Sequence, residues 1–516
     1  MARRFDLLAL FPLMVLGCSP AGEDDDGDTS PPEESETPTP PANASSNPPE
    51  TESAPPDTPT PPQGQSLSCD EVVLDPTYAA SIGLYPDQCG GGPLLDVDLC
   101  GPPQAPCQIL SQVEIATHYA GMPAPRGRVD EDDHSRLLGS QNPLGSVLVQ
   151  TDGTSAVVYP SPSDGWPLSL GEVFGEATTV VASSSWTSTA SYLWVHDPQE
   201  GWSCGPGFDL PPYGGTVSDL RRDAAGCQYG AVISQDQWFT ARFDGEWVLE
   251  PITHPSINYA ETTGSAMYVA LGPQGEPSHL FQIGLGLYWQ GGSAAAEGPI
   301  NATLPATSAA MVVGPGGEEG IPRVLVAHQL NPQEGTLASA VSLLSRIGGA
   351  WEVEPLVELD TAQAEPCDGE GAEGDTCELN RSTYTTIGIV SNSSGDLRAF
   401  FAEIHETGTL TMTCSGLRSE PSGSRAPVPS PPPPECSWEG PITTESHLWM
   451  SWLEGRDANP PVHLGKIADS DLSGGSAEVD SEGDVHLVFL VSRPEVDANN
   501  PLTMVSLELG YRPSAL

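Results

Sequence analysis

The chain is 516 residues long, and its 70 Asp and Glu side chains outnumber its 18 Lys and Arg, leaving a formal net charge of −52. A field of that sign repels nucleic acid and anionic lipid headgroups, so nucleic-acid binding and electrostatic docking on a membrane are excluded. The length suits one large domain or two ordinary ones.

Read from the N-terminus, Arg3 and Arg4 are a basic start, Leu7 to Leu16 an apolar stretch and Gly17 a small residue, the three parts of a secretory signal peptide over residues 1–17. About ten apolar residues fall well short of the roughly 20 that a helix needs to cross a bilayer, so this stretch is a signal and not a membrane span. Val15-Leu16-Gly17-Cys18 resembles the bacterial lipobox. That resemblance implies cleavage before Cys18, acylation of Cys18 with palmitate-like chains, and a lipid anchor in the cell envelope. Ser19 differs from an inner-membrane retention signal, which points to the outer membrane. Asp6 departs from the usual basic region.

Residues 18–68 follow as a tether. From Ser19 to Ser68 there are thirteen prolines, eleven acidic residues and no Lys or Arg. Such a composition buries too little apolar surface to offset the entropy of ordering, and predicts a disordered, partly extended spacer. Residues 69–137 carry four cysteines and few strand signals, and read as a disulfide-rich cap or strap.

Eleven cysteines occur. With Cys18 set aside for lipid, an even number remains in an exported chain, which argues for disulfides and against catalysis or metal. Spacing suggests Cys69 with Cys89, Cys100 with Cys107, Cys204 with Cys227, Cys367 with Cys377, and Cys414 with Cys436; sequence by itself leaves the connectivity open. No C-x-x-C pair occurs, so no zinc site is assigned.

From 138 to 516 helical periodicity is nearly absent, and short β-branched and aromatic runs alternate with Gly, Pro, Asp and Ser clusters, which predicts an all-β domain. A two-part repeat runs through it. Its first part is a polar turn with a glycine leading into an apolar strand: Thr151-Asp152-Gly153, Ala224-Ala225-Gly226, Pro273-Gln274-Gly275, Ser393-Ser394-Gly395 and Asp480-Ser481-Glu482-Gly483. Its second part is a turn delivering a tryptophan: Gly165-Trp166, Gly201-Trp202, Glu246-Trp247 and Ala350-Trp351. Trp247-Val248-Leu249-Glu250-Pro251-Ile252 parallels Trp351-Glu352-Val353-Glu354-Pro355-Leu356, with Trp438 to Ile442 a shortened copy and Trp289 another member. The spacing suits the roughly 40 to 50 residues of a four-stranded propeller blade. Residues 360–381 and 415–435 read as insertions, and His447 to Ile467 as a blade-like unit without the tryptophan.

This rhythm resembles the sialidase-like, BNR-type β-propellers, although their S-x-D-x-G-x-x-W Asp-box occurs nowhere in full. The resemblance implies six or seven blades over residues 138–516. A tandem of β-sandwiches is the rival architecture.

Chemistry is harder to find. No nucleophile elbow, metalloprotease helix, P-loop or dinucleotide motif appears, the ten histidines are dispersed, and no catalytic residue or cofactor is assigned. Two acidic clusters are rich in the oxygens calcium needs: Asp130-Glu131-Asp132-Asp133 beside His134, and Asp469, Asp471, Asp480, Glu482 and Asp484. Neither has the loop spacing of a calcium site, and both read as solvated faces. Trp166, Trp202, Trp247 and Trp351 recur at one position of the repeat and read as packing residues. Trp186, Trp194, Trp449 and Trp452 break the register and are the candidates for a binding face, since sugars stack on aromatic rings.

The expected function is that of a tethered binding or scaffold module for a protein or glycan. The alternative is a polysaccharide-active hydrolase or lyase with its active site on the propeller. A basic or aromatic cluster converging on the central channel favours the enzyme; an apolar or small-residue lining favours binding.

Overall fold

The computed structural model describes the strands between Cys107 and Tyr511 and the turns named below; residues 1–106, 512–516 and the remaining connecting segments lie outside the described residues. The signal, Cys18, the tether, Cys69, Cys89, Cys100, Trp186 and the Asp130 to His134 cluster all fall in those undescribed parts. No helix among the described residues is long and apolar enough to cross a membrane.

After an initial strand β1 (Cys107–Thr117), the chain lays down its sheets in order. Blade 1 is β2 (Arg126–Val129), β3 (Ser135–Gln141), β4 (Gly145–Thr151) and β5 (Ala156–Pro160). Blade 2 is β6 (Trp166–Gly171), β7 (Thr179–Ser184), β8 (Ser191–Asp197) and β9 (Gly201–Cys204). Blade 3 is β10 (Gly215–Arg222), β11 (Gln228–Ser234), β12 (Trp238–Phe243) and β13 (Trp247–Ile252). Blade 4 has three strands among the described residues, β14 (Met267–Leu271), β15 (Pro277–Ile283) and β16 (Gly286–Gly291), with Glu297 bridging Trp289 beside the last of them. Blade 5 is β17 (Ala306–Gly314), β18 (Ile321–His328), β19 (Ala340–Ile347) and β20 (Ala350–Glu358). Blade 6 holds β21 (Thr376–Ser391), β22 (Leu397–Ser415), β23 (Glu435–Glu439), β24 (Ile442–Glu454), β25 (Asp457–Ala458) and β26 (Val462–Ala468). Blade 7 is β27 (Asp471–Val479), β28 (Val485–Ser492) and β29 (Leu502–Tyr511), and β1 completes it by pairing with β29.

The first strands of the blades touch in a ring: β2, β6, β10, β14, β17, β21, β27 and back to β2. The protein is therefore all-β and a propeller, with seven sheets among the described residues. All seven sheets are antiparallel, and in blades 1 to 5 strands consecutive in sequence are neighbours, as in a meander.

Turn chemistry explains the first part of the repeat. In blades 4 and 7 the turn between the first two strands ends on a glycine at positive φ, 87° at Gly275 and 89° at Gly483. Each glycine N–H bonds back three residues, to the Gly272 and Asp480 carbonyls. This is a type I turn closed by a left-handed residue, which glycine adopts without strain. In blade 3 the Asp223 N–H bonds to the Cys227 carbonyl at 2.9 Å, the counterpart of the Gly272 to Glu276 bond in blade 4.

The cores lie between blades. Along β22, Leu397, Ala399 and Phe401 pack towards blade 5, while Phe400 and Ala402 pack towards blade 7. A run buried on both faces is what a central strand between two neighbours demands. Where β21 meets β27, a Cβ on Gly388 would stand 2.6 Å from Ala477, so only glycine allows that approach. Trp238 meets Phe281 edge-on between blades 3 and 4, and Trp289 meets Trp351 edge-on between blades 4 and 5.

Several expectations change. The segment read as a cap over 69–137 supplies β1, β2 and the first residues of β3, so the ring begins at Cys107 and not at 138. Its first strand, β1, pairs with β29 from the other end of the propeller, a pairing that local periodicity does not show. The unit from His447 to Ile467 is no separate blade, because β24 and β26 belong to the sheet of β21 and β22. Residues 376–381 of the expected first insertion are the start of β21. Cys367 is bonded to Cys377, and Cys414 to Cys436. Cys227 instead carries a free thiol; it opens the second strand of blade 3, whereas Cys204 ends the outermost strand of blade 2. Finally, Trp202, Trp247 and Trp351 open fourth strands, but Trp166 opens a first strand. A Gly-Trp turn marks a strand start without saying which strand it is.

A buried histidine gives the fold a pH limit. His279 on β15 is 1% exposed, and burial pushes its pKa down to about 4, against the opposing pull of the Gly230 backbone and Asp219. The unfolded chain takes up this proton near 6.5 and the folded chain does not, so the stability is complete above that pH and falls as pH drops towards 4. We expect a loss of about 3 kcal/mol over this window in urea unfolding, with His279→Gln flattening the slope.

Candidate functional site

The C-terminal ends of five first strands meet at one mouth of the central channel and enclose a cavity of about 520 Å³. That is within the size range of small-molecule and peptide-end pockets. Its wall sets Leu271, Met311, Val313 and Ile389 beside Arg221, Arg222, Ser391 and Glu478, and presents polar and apolar surface in about equal measure.

Behind the mouth, charged side chains from three blades knit together. Arg128 of β2 is 4% exposed; its guanidinium donates to Glu478 Oε1 of β27 at 2.6 Å and to Asp219 Oδ1 of β10. Arg221 donates to Glu478 Oε2 at 3.1 Å and to the Val269 carbonyl at 3.2 Å. The Val269 N–H in turn donates to Asp219 Oδ2 at 2.8 Å, which ties in blade 4. Two cations and two anions thus balance in a region where an unpaired charge would be costly.

Local backbone geometry aims Asp219. The pairing of β10 with β11 shifts between Ser218 and Arg221, and Asp219 sits in this bulge with φ 53°. Aspartate tolerates that left-handed conformation better than most residues, and a bulge redirects a side chain that regular pleating would place elsewhere.

No family model matches the chain, and no curated protein matches it. Among solved structures, virginiamycin B lyase from Staphylococcus aureus, solved with quinupristin, is 8% identical over 77% of this chain and 99% of its own, with a TM-score of 0.40. YCF48 bound to a peptide is 10% identical over 82% of this chain and 99% of its own, TM-score 0.40. The lectin of Aleuria aurantia, a six-bladed β-propeller described with a fucose recognition mode, is 10% identical over 67% of this chain and 95% of its own, TM-score 0.33. Similarity this distant carries no argument about activity; the sheets and their ring establish the fold by themselves.

The tryptophans proposed as one binding face do not share a face. Trp449 packs at the edge of the core towards blade 5, and Trp452 packs on the core towards blade 7. Three residues apart on one strand, they point to opposite sides. Trp194 lies on β8, in another blade.

The acidic cluster of the last blade is a turn device. Asp480 Oδ1 accepts the N–H groups of Glu482 and Asp484 at 3.0 and 2.8 Å, and Oδ2 lies 2.9 Å from His486 Nε2. Blade 3 repeats the arrangement with Asp223, which accepts from the Cys227 N–H at 2.9 Å and the Tyr229 hydroxyl at 3.3 Å. Glu508 joins Asp480 and His486 within 4.8 Å, but a tyrosine filling the histidine's place in blade 3 marks the set as structural.

Arg128, Asp219, Arg221 and Glu478 escaped the sequence reading. They are 350 positions apart at the extremes, and the available signal was modest: paired charges inside the strands Arg126–Val129 and Gly215–Arg222, where a buried strand should be apolar.

Proposed function

We propose that the protein is a tethered binding or scaffold module that seats part of a protein or glycan ligand in the channel mouth. In this reading the module is held off an outer membrane by lipid on Cys18 and by the spacer of residues 19–68. One observation carries it: the carboxylate that lines the cavity, Glu478, is already engaged by Arg221 at 2.9 Å and by Arg128. A catalytic acid or base must exchange a proton with the substrate, which a carboxylate clamped by two guanidiniums is poorly placed to do. What remains for a ligand is a rim in which aliphatic side chains and fixed polar groups share the surface about equally.

The test screens the purified protein against glycan and envelope-protein panels alongside a released-sugar assay. Leu271→Arg, at the cavity rim, should weaken capture of any hit by about tenfold or more, while removal of residues 21–65 leaves intrinsic affinity unchanged. On cells, Cys18→Ala should abolish incorporation of labelled fatty acid. Turnover of a polysaccharide by the purified protein would replace this reading with the enzymatic one.

A further inference from the structure

Charged side chains cross the central channel just behind its mouth. In the ring order β6 lies between β2 and β10, and β2 and β6 both lie between β27 and β10. Arg128 of β2 reaches Asp219 of β10 all the same, and Arg221 of β10 reaches Glu478 of β27 at 2.9 Å. Contacts that pass over an intervening blade span the axis, so these side chains floor the mouth, and Arg221 and Glu478 also belong to its wall. A pocket with a floor receives the end of a chain and not its middle.

The chemistry of the wall selects which end. The charged residues described there are two arginines, Arg221 and Arg222, and one carboxylate, Glu478. Glu478 Oε1 accepts from Arg128 at 2.6 Å and Oε2 from Arg221 at 3.1 Å, so a ligand ammonium would compete with two guanidiniums for it. The carboxylates of the neighbouring turns are directed at their own backbones, Asp223 at the Cys227 N–H and Asp480 at the Glu482 and Asp484 N–H groups. A guanidinium presents five N–H donors, so an arginine that holds a protein partner also takes a ligand carboxylate.

Beside these charges, Leu271, Met311, Val313 and Ile389 offer aliphatic contact, and the described lining residues include no aromatic ring. Sugars stack on aromatic faces, and a net charge of −52 repels a polyanion. A chain with one terminal carboxylate and an aliphatic last residue meets neither obstacle. We propose that the mouth captures the C-terminal residue of a partner protein, with its carboxylate on Arg222 and Arg221 and its aliphatic side chain against Leu271, Met311, Val313 and Ile389. This rests on the reading of the mouth as a binding pocket and names the class of ligand. Capture of a terminal carboxylate is a recurring mode of peptide recognition.

The experiment applies the purified protein to two arrays of the same random hexapeptides, one with free C-terminal carboxylates and one with C-terminal amides, beside an array of neutral and acidic glycans. Hits are expected on the carboxylate array, ending in leucine, isoleucine, valine or methionine. In solution, amidation of a hit should weaken it by about tenfold or more, and Arg222→Gln by a similar factor. Amidation changes the ligand alone, so it keeps the test informative if Arg222→Gln misfolds. Leu271→Arg should weaken the same hits. An empty carboxylate array, equal binding of the amides, or hits on glycans alone would overturn the C-terminal assignment, and the mouth remains a binding pocket if Leu271→Arg weakens whatever does bind. Hits of any class that Leu271→Arg leaves unchanged would instead remove the reading of the mouth itself.

Discussion

Deleting residues 107–117 should abolish the cooperative unfolding transition and drive the protein into aggregates. These residues form β1, which pairs with β29 from Cys107 opposite Tyr511 to Thr117 opposite Leu502. That ladder joins the two ends of the ring. Without it, β29 becomes a bare edge strand, a template for pairing with other chains, and blade 7 loses one of its four strands. The ring is closed by the contact of β27 with β2, and opening it exposes the apolar faces between neighbouring blades. A ladder of this length, together with the faces it protects, is comparable with the whole stability of a typical domain, about 5–15 kcal/mol. Size-exclusion chromatography and urea unfolding read the outcome. A monomer with an unchanged midpoint would show that the ring closes without β1.

Replacing Arg128 by methionine should destabilise the protein by about 3–5 kcal/mol, because it strips a partner from carboxylates buried behind the channel mouth. The side chain of Asp219 is 2% exposed and that of Glu478 17% exposed, and Arg128 contacts both. Arg221 remains and softens the loss at Glu478, which it reaches at 2.9 Å. Asp219 keeps the Val269 N–H and a longer contact to Arg221 Nε at 3.7 Å. Adding Asp219→Asn to Arg128→Met removes the negative charge that Arg128 balanced while preserving a residue that accepts the left-handed backbone, so the double variant should be more stable than the sum of the single losses predicts. Urea unfolding of the four proteins closes this cycle. A loss below about 1 kcal/mol for Arg128→Met would mean that the network is solvated and not structural.

Much of the architecture is written locally. Alternating runs bounded by glycine turns specify strands wherever they occur, and Pro273-Gln274-Gly275 and Asp480 to Gly483 form the turns that their residues prefer, with the glycine at positive φ. The all-β class and the propeller rhythm follow from this period and from the tryptophan spacing. The Gly-Trp signal could not separate Trp166, on a first strand, from Trp351, on a fourth, because both are turns entering a strand.

What the sequence by itself determined is therefore the class of structure and its repeat, both properties of neighbouring residues. The tertiary structure alone decided how many sheets close the ring, since the last blade is completed by a strand from the chain's beginning. It also decided the sites. Arg128 meets Glu478 only because the ring brings its first and last blades together, and Asp219 reaches both arginines from a bulge in the pairing of β10 with β11. Such contacts depend on pairing and closure across long sequence distances, which local periodicity does not encode.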